Sequence, residues 1–360
     1  MKYSPLRHLP SIVTKRRPLQ LTFFVTQRCN ARCAFCFYRS PDQWPTPREM
    51  ELSIDEITRL SASMGSLLWL AFSGGEIFLR DDMAEIAKIF YDQNNPAIIL
   101  LPTNGQLPET IRDQTEAILH HCRRSTVVVK LSLDGPEEVH DRIRGVSGAF
   151  EKTLATYGFL GELLDRYDNF ELGMNTVFCA ANQDRMAEII SYVKDLEKIS
   201  THTVSLVRGR VPDETMKEID HEAYQQTIGM LEKNLKGDGA GRYRFRGSRV
   251  KAAQDILQRQ LIHDTAVTQK RLTPCYAGKL TLVVTETGDV YPCESFERKM
   301  GNLRDWDYDV GRILASAEGE RTLTEIGEKG CYCTHECYAM INILFNPARY
   351  PALLKEYVRL

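Results

Sequence analysis

The chain has 360 residues, a hydrophobic content of 43% and a formal net charge of −2. This length and apolar content suffice for one large α/β domain, with or without an appendage. Charges of both signs are scattered along the chain, which excludes a general attraction to nucleic acid or to anionic membranes. The N-terminus lacks an apolar signal core, and no run approaches the roughly 18 apolar residues of a membrane span. We therefore expect a cytoplasmic protein with no nucleic-acid partner and no membrane span.

Short β-rich runs alternate with helical patterns between about residues 19 and 208, as in repeated βα units around a parallel sheet. Six units are too few to close an eight-stranded barrel, so the predicted fold class is α/β with an open, partial (β/α)6 TIM-like barrel. The predicted strands are Leu21–Thr26, Leu67–Phe72, Ala97–Pro102, Thr126–Leu133, Glu171–Phe178 and Thr203–Val207. The helices predicted between them are Ile54–Met64, Asp82–Asp92, Glu109–His121, Ala149–Arg166 and Gln183–Glu197.

Three cysteines, Cys29, Cys33 and Cys36, follow the first predicted strand within eight residues. Thiolates this close together suit an iron–sulfur cluster or zinc better than a disulfide. A four-iron cluster held by three thiolates keeps an open position on its fourth iron, where a substrate or cosubstrate can bind. A zinc knuckle is the alternative, although zinc usually takes four ligands in two close pairs.

Polar turns follow the next strands, at the edge of the sheet where α/β folds bind ligands. In the stretch Ser73-Gly74-Gly75-Glu76, the glycines permit a tight turn and close backbone approach to a ligand, and Glu76 brings an acceptor to the sheet edge. The turn Thr103-Asn104-Gly105 follows the third strand. An ordinary βα turn is the alternative in both places.

The stretch after the fourth strand, Ser132-Leu133-Asp134-Gly135-Pro136, runs into a charged segment that contains His140 and Arg144. By composition this is a polar loop followed by a capped helix, and its charges could all be solvated.

Together these motifs resemble the radical S-adenosylmethionine (radical SAM) superfamily. The cysteine spacing with Phe35 before the last thiol, the Gly-Gly-Glu turn and the Ser-Leu-Asp-Gly stretch occur in the family's order. In that family, the open iron of a [4Fe–4S] cluster chelates S-adenosylmethionine, and one electron cleaves the sulfonium to give a 5'-deoxyadenosyl radical. Such an ordered set is hard to obtain by chance, which makes the zinc interpretation improbable.

The resemblance implies a role for each motif. The three cysteines hold the catalytic cluster, and Glu76 with its neighbouring backbone holds the methionine ammonium. Ser132 and Arg144 bind the cosubstrate carboxylate, for which a guanidinium fork is suited. Asp134 faces the ribose or the substrate. The implied cosubstrate-binding residues are Phe35, Gly74, Gly75, Glu76, Thr103, Asn104, Ser132, Asp134, Arg144, Asn175 (near the ribose) and Leu206 (near the adenine).

Five further cysteines lie near the C-terminal end of the chain. Cys275, a hairpin pattern with Gly288, and Cys293 resemble the first half of the SPASM/Twitch appendage of radical SAM enzymes, which binds auxiliary iron–sulfur clusters. The second half departs from that pattern, because a full SPASM domain offers seven cysteines for two clusters. We therefore expect one auxiliary [4Fe–4S] cluster, held by Cys275, Cys293 and two of the group Cys331, Cys333 and Cys337. Cys333 and Cys337 are the first choice, and the spare thiol either lies nearby or replaces one of them.

The chain is accordingly divided into four parts. They are an N-terminal extension (1–18), the radical SAM partial barrel (19–211), a helical connector (212–272), and an auxiliary-cluster domain with a β-hairpin and a C-terminal helix (273–360).

The resemblance implies a radical SAM enzyme, an oxidoreductase that abstracts hydrogen from a substrate in the barrel and uses the auxiliary cluster for oxidation. A small polar metabolite, such as a carbohydrate-like alcohol, is the favoured substrate. The alternative is modification of a ribosomal precursor peptide, against which Cys29 leaves little room for an N-terminal leader-recognition domain. A non-enzymatic iron–sulfur or zinc sensor or scaffold is the third hypothesis. An electron donor such as flavodoxin or ferredoxin is the expected protein partner.

Overall fold

The computed structural model describes residues 2–38, 45–237, 247–295, 297–328 and 331–360. Six parallel strands, neighbours in chain order, form the wall of a partial barrel. They are β1 (Gln20–Thr26), β2 (Trp69–Gly74), β3 (Ile98–Thr103), β4 (Thr126–Ser132), β5 (Phe170–Phe178) and β6 (Thr201–Leu206). This confirms the predicted α/β class and the open barrel.

The alternation of side chains along β4 shows how the barrel separates its core from its interior. Val127, Val129 and Leu131 are fully buried within the main hydrophobic cluster, which also contains residues of the surrounding helices. Lys130 and Ser132 point the other way and line a cavity inside the barrel. Because side chains on a strand face opposite sides in turn, one strand supplies both the core and the site.

Six of the first seven helices lie between successive barrel strands. Local sequence signals determine where several of these helices begin or end. Ser53 and Glu56 form a capping box at the start of α2, and Gly145 ends α5 in the left-handed conformation at φ +64°. These helices are α1 (Ser11–Thr14), α2 (Ile54–Ser63), α3 (Met83–Asn94), α4 (Pro108–His121), α5 (Glu137–Arg144), α6 (Ala149–Leu163) and α7 (Met186–Asp195).

The C-terminal hairpin continues the barrel sheet. Strand β7 (Thr281–Val284) pairs parallel with β1, and β8 (Asp289–Tyr291) and β9 (Gly301–Asn302) follow in antiparallel pairing, so the described sheet has nine strands. The auxiliary cysteines are therefore anchored directly beside the first barrel strand. No local sequence pattern indicates this pairing, because it joins segments far apart in the chain.

Six further helices follow β6 in the described part of the chain. They are α8 (His221–Lys236), α9 (Ser248–Thr268), α10 (Val310–Leu314), α11 (Ala317–Glu328), α12 (Glu336–Leu344) and α13 (Tyr350–Arg359). Helix α9 contacts α8, α12 and α13, and both α9 and α12 contribute residues to the lining of the barrel cavity. Within the described ranges, we find no helix that combines the length and the apolar character needed to cross a bilayer.

Candidate active site

The three cysteines that follow β1 lie together in one loop. Burial, together with the neighbouring Cys33 and Cys36, raises the pKa of Cys29 to about 12. The Cys33 thiol is also buried, but it accepts a hydrogen bond from Nη1 of Arg144 at 3.5 Å. Three half-buried cysteines that raise one another's pKa are stable as thiolates only beside a strong positive charge, so the donor set fits an iron–sulfur cluster. In the part of the chain that the structure describes, no three potential ligands converge closely enough for a single metal ion.

The Gly-Gly-Glu turn packs directly against the backbone that leads into the cysteine loop. Gly75 and Glu76 donate their amide N–H groups to the carbonyls of Thr26 (2.7 Å) and Arg28 (2.9 Å). A Cβ atom on Gly74 would lie 2.2 Å from the Thr26 carbonyl oxygen, and Gly74 has a φ of +135°. Both conditions require glycine, so this turn sets the position of the cysteine loop.

The carboxylate of Glu76 lies behind the cavity and holds the neighbouring turn. It accepts hydrogen bonds from the Thr103 hydroxyl (2.8 Å), the Asn104 amide (2.8 Å) and the Phe78 amide (3.2 Å). Burial raises the pKa of Glu76 to about 7, although these hydrogen bonds oppose the shift. Contact of Glu76 with the cosubstrate ammonium stays a prediction, and the contacts that the structure shows are with the protein.

Asp134 also differs from its expected place, because it is fully buried and supports Arg144 from behind. Its Oδ2 lies 2.5 Å from Nη2 of Arg144, and its Oδ1 accepts the Val177 amide at 2.9 Å. Burial lowers the pKa of Arg144, but the Asp134 carboxylate and the Cys33 sulfur together outweigh burial, and the net pKa is raised. Asp134 therefore fixes a charged guanidinium at the cavity wall, above the ring of Phe35 at 5.4 Å from its centroid.

The other predicted residues meet around one cavity of about 400 Å³. This cavity brings together the ends of all six barrel strands with the cysteine loop. The predicted residues that line it are Cys29, Cys33, Phe35, Cys36, Gly74, Gly75, Thr103, Asn104, Ser132, Arg144, Asn175 and Leu206.

The auxiliary cysteines form a second group beside β7 and β8. Burial raises the pKa of Cys293, and the neighbouring Cys333, Cys275 and Cys331 are among the groups that raise it further. The sulfur of Cys331 lies 2.9 Å from Nη2 of Arg271. Cys337 instead lines the barrel cavity, and its amide donates to Nδ1 of His335 at 3.1 Å. Cys331 is therefore also a candidate for the fourth ligand, and the first choice of Cys337, made from spacing, stays a prediction.

Iron content distinguishes the two ligand sets. If Cys331 is a ligand, Cys331→Ala should lose about four irons per chain after anaerobic reconstitution, and Cys337→Ala should keep the wild-type content. The measurement is an iron and sulfide assay, with electron paramagnetic resonance of the reduced clusters. The reverse pattern would support the spacing-based choice of Cys337.

Charged residues that sequence reasoning did not assign separate the two cysteine groups. Nη2 of Arg208, after β6, lies 2.9 Å from Nε2 of His335, which lies 2.7 Å from Oε2 of Glu294. Arg208 also lies 3.6 Å from the Glu336 carboxylate, and all four residues line the cavity. Three of them have one sequence signal, which is proximity to cysteines. Glu294 follows Cys293, and His335 and Glu336 lie between Cys333 and Cys337.

Comparison with known proteins places this geometry in context. Residues 23–170 match the family model of the Radical SAM superfamily. An AdoMet-dependent heme synthase of Methanosarcina barkeri is 29% identical, and the match covers 87% of each chain. The antilisterial bacteriocin subtilosin biosynthesis protein AlbA of Bacillus subtilis is 26% identical over 79% of this chain and 57% of its own.

Solved structures share the fold at low identity. The structure of anSMEcpe with bound AdoMet has a TM-score of 0.61 at 16% identity, covering 95% of this chain and 96% of its own. SuiB of Streptococcus suis, bound to S-adenosylmethionine, has a TM-score of 0.56 at 15% identity, covering 86% and 69%. These similarities show a common architecture of partial barrel and C-terminal extension.

Proposed function

This chain belongs to the radical SAM superfamily, in its SPASM/Twitch branch, and on that premise we propose that it abstracts a hydrogen atom from a carboxylate-bearing substrate, with a peptide as first choice. The observation that carries the proposal is the single cavity that runs from the cysteine loop into the barrel interior. In this family a [4Fe–4S] cluster and S-adenosylmethionine supply the power to abstract hydrogen from unreactive carbon.

The chain's own residues hold and enclose these groups. Cys29, Cys33 and Cys36 are the cluster ligands, and Arg144, held charged by Asp134, binds the cosubstrate carboxylate together with Ser132. Burial of the site within the barrel excludes water, which would otherwise compete for the reactive carbon centre.

Apolar side chains form one part of the cavity wall, deeper in the barrel than Lys130. They are Ile98, Leu100 and Val128, and they do not suit a carbohydrate-like alcohol, because a sugar requires a hydrogen-bonding partner for most of its hydroxyl groups. A peptide meets such walls with apolar side chains. Support for a peptide also comes from the relatives AlbA and the sporulation killing factor maturation protein SkfB of Bacillus subtilis, which is 24% identical over 51% of this chain.

A tetrapyrrole is the second candidate substrate. It is favoured by the heme synthase of Methanosarcina barkeri, because that similarity extends over nearly the whole of both chains. Apolar cavity walls also suit a porphyrin ring, and its propionates supply the carboxylates.

The four-part division of the chain gives each region a role in this proposal. The barrel (19–211) would bind cosubstrate and substrate, the connector (212–272) would close its side, and cysteines of the region 273–360 would hold one auxiliary cluster. When bound, that cluster would supply an electron acceptor for oxidation of the substrate. The 1–18 extension precedes the barrel, and flavodoxin or ferredoxin is the proposed electron donor.

Anaerobic turnover tests the proposal. The reconstituted enzyme, with dithionite and S-adenosylmethionine, is expected to form 5'-deoxyadenosine, measured by liquid chromatography and mass spectrometry. Perdeuterated peptides encoded next to the gene should transfer deuterium into this product, whereas deuterated Fe-coproporphyrin III does so if the tetrapyrrole candidate is correct. Absence of 5'-deoxyadenosine under all conditions contradicts the proposed function.

A further inference from the structure

A lysine lies deep in the barrel, below the predicted cosubstrate residues. Lys130 precedes Ser132 by two positions on β4, so both side chains face the same cavity, about 7 Å apart along the strand. The Lys130 ammonium donates to the hydroxyls of Thr201 and, at 3.2 Å, of Thr203, both on β6. A lysine here is unexpected for packing, because its neighbours in sequence are apolar core residues.

The barrel wall is shaped to accommodate this lysine. Strand register places Lys130 opposite Gly173 and Gly173 opposite Thr201. A Cβ atom on Gly173 would lie 2.6 Å from Nζ of Lys130 and 2.3 Å from Oγ1 of Thr201. The missing side chain at Gly173 is therefore what lets the ammonium cross to β6.

A second cation, Arg259 on α9, approaches the same part of the cavity. Its Nη2 donates to the carbonyl of His202 at 3.2 Å, whereas its buried Nη1 has no hydrogen-bond partner among the described residues. The Tyr224 hydroxyl, on a fully buried side chain that lines the cavity, likewise has no partner in the described part of the chain. A buried donor without a hydrogen-bond partner lowers the stability of the folded protein. The presence of two such donors therefore points to a ligand that supplies acceptors.

The local charge balance favours an anion. Burial, together with the nearby charges of Lys251 and Arg259, lowers the pKa of Lys130 to about 7, although Asp255 and Glu171 oppose this shift. Lys251 is paired with Asp255. Neither Lys130 nor Arg259 forms an ion pair with any side chain that the structure describes. An anion placed between them would gain two charged donors and would keep the lysine protonated.

We propose that Lys130 and Arg259 form a carboxylate-binding subsite inside the barrel, which anchors the substrate just below the predicted cosubstrate residues. This inference rests on the proposed function and deepens it by assigning the group of the substrate that is recognised. The carboxylate is a chain terminus or acidic side chain if the substrate is a peptide, and a propionate if it is a tetrapyrrole.

Equilibrium dialysis against the anaerobically reconstituted holoenzyme tests the subsite with paired probes. One arm compares coproporphyrin III with its tetraamide. The other compares a fluorescein-labelled hexapeptide, Gly-Ala-Leu-Ala-Gly-Ala, with its C-terminal amide. In at least one arm, the wild type should bind the free carboxylate at least about tenfold more tightly than the blocked form, as expected for a charge-assisted contact.

Two variants should abolish this preference by different routes. Lys130→Met removes the ammonium, and Gly173→Ala displaces it while keeping the charge, so both should bring the ratio close to one. The matched control is Lys88→Met, an exposed lysine on α3, which should keep the wild-type ratio. Circular dichroism establishes that each variant is folded, and Arg259→Gln provides a further variant if one fails to fold.

The subsite is overturned if the wild type shows no preference for either free carboxylate, or if folded Lys130→Met keeps the wild-type preference. Formation of 5'-deoxyadenosine is measured on the same samples. Loss of that product with an intact binding preference contradicts the proposed function alone, whereas intact product formation without the preference contradicts the subsite alone.

Discussion

Replacing Cys33 with alanine is expected to reduce 5'-deoxyadenosine formation by about a thousandfold or more, to background. The Cys33 thiol lies beside Cys36 and accepts a hydrogen bond from Arg144, so its loss removes one of three predicted cluster ligands and a partner of the predicted cosubstrate site. Iron content should fall by about four per chain, and the electron paramagnetic resonance signal of the remaining reduced cluster should not change when S-adenosylmethionine is added, which separates loss of the catalytic cluster from loss of the auxiliary one.

The matched control is Cys122→Ala. Cys122 is also fully buried, but it ends helix α4 within the hydrophobic core, away from both cysteine groups. This variant should keep the wild-type iron content and product formation, with a modest loss of stability from the removed sulfur. Normal turnover and iron content in Cys33→Ala would refute the assignment of the three-cysteine loop as the catalytic cluster site.

Asp134→Asn should produce the second large effect. Asparagine keeps the shape and an acceptor for the Val177 amide, but it leaves the buried Arg144 guanidinium without its counter-charge. Breaking a buried ion pair in this way costs about 3–5 kcal/mol, so the free energy of unfolding should fall by that order. S-adenosylmethionine affinity should fall by about tenfold or more, since Arg144 loses the carboxylate that orients it.

Anaerobic chemical denaturation and equilibrium dialysis with S-adenosylmethionine measure these two quantities. Glu188→Gln is the matched control, because it removes one carboxylate from an exposed ion pair with Arg185 on the outer surface. Both quantities should stay near wild type in the control. An Asp134→Asn enzyme with wild-type stability and affinity would show that the Asp134–Arg144 pair does not organise the cosubstrate site.

The sequence predicted correctly the features that depend on a local pattern of residues. All six barrel strands begin and end within two residues of their predicted bounds, because a period of two and the turn residues at strand ends are visible in a short window. The cysteine loop and the Gly-Gly-Glu turn were found for the same reason. Their positions at strand ends follow from the parallel α/β topology.

The choice of substrate depended on the cavity wall, which a sequence pattern does not show. A carbohydrate-like alcohol was favoured, yet part of the wall is formed by apolar residues such as Ile98 and Leu100, and the relatives AlbA and SkfB fit the peptide alternative better. Those residues were visible only as strand formers, since a strand pattern does not say which of its two faces meets a ligand.

The sequence by itself determined the family, the order of the βα units and the presence of two cysteine groups, because spacing and periodicity are properties of neighbouring residues. Only the tertiary structure decided that β7 continues the barrel sheet beside β1, that Asp134 and Glu76 lie behind the cavity, and that Lys130 and Arg259 approach each other inside the barrel. Each of these depends on contacts between distant segments, which are fixed by how the chain packs and by which polar groups must be satisfied once water is excluded.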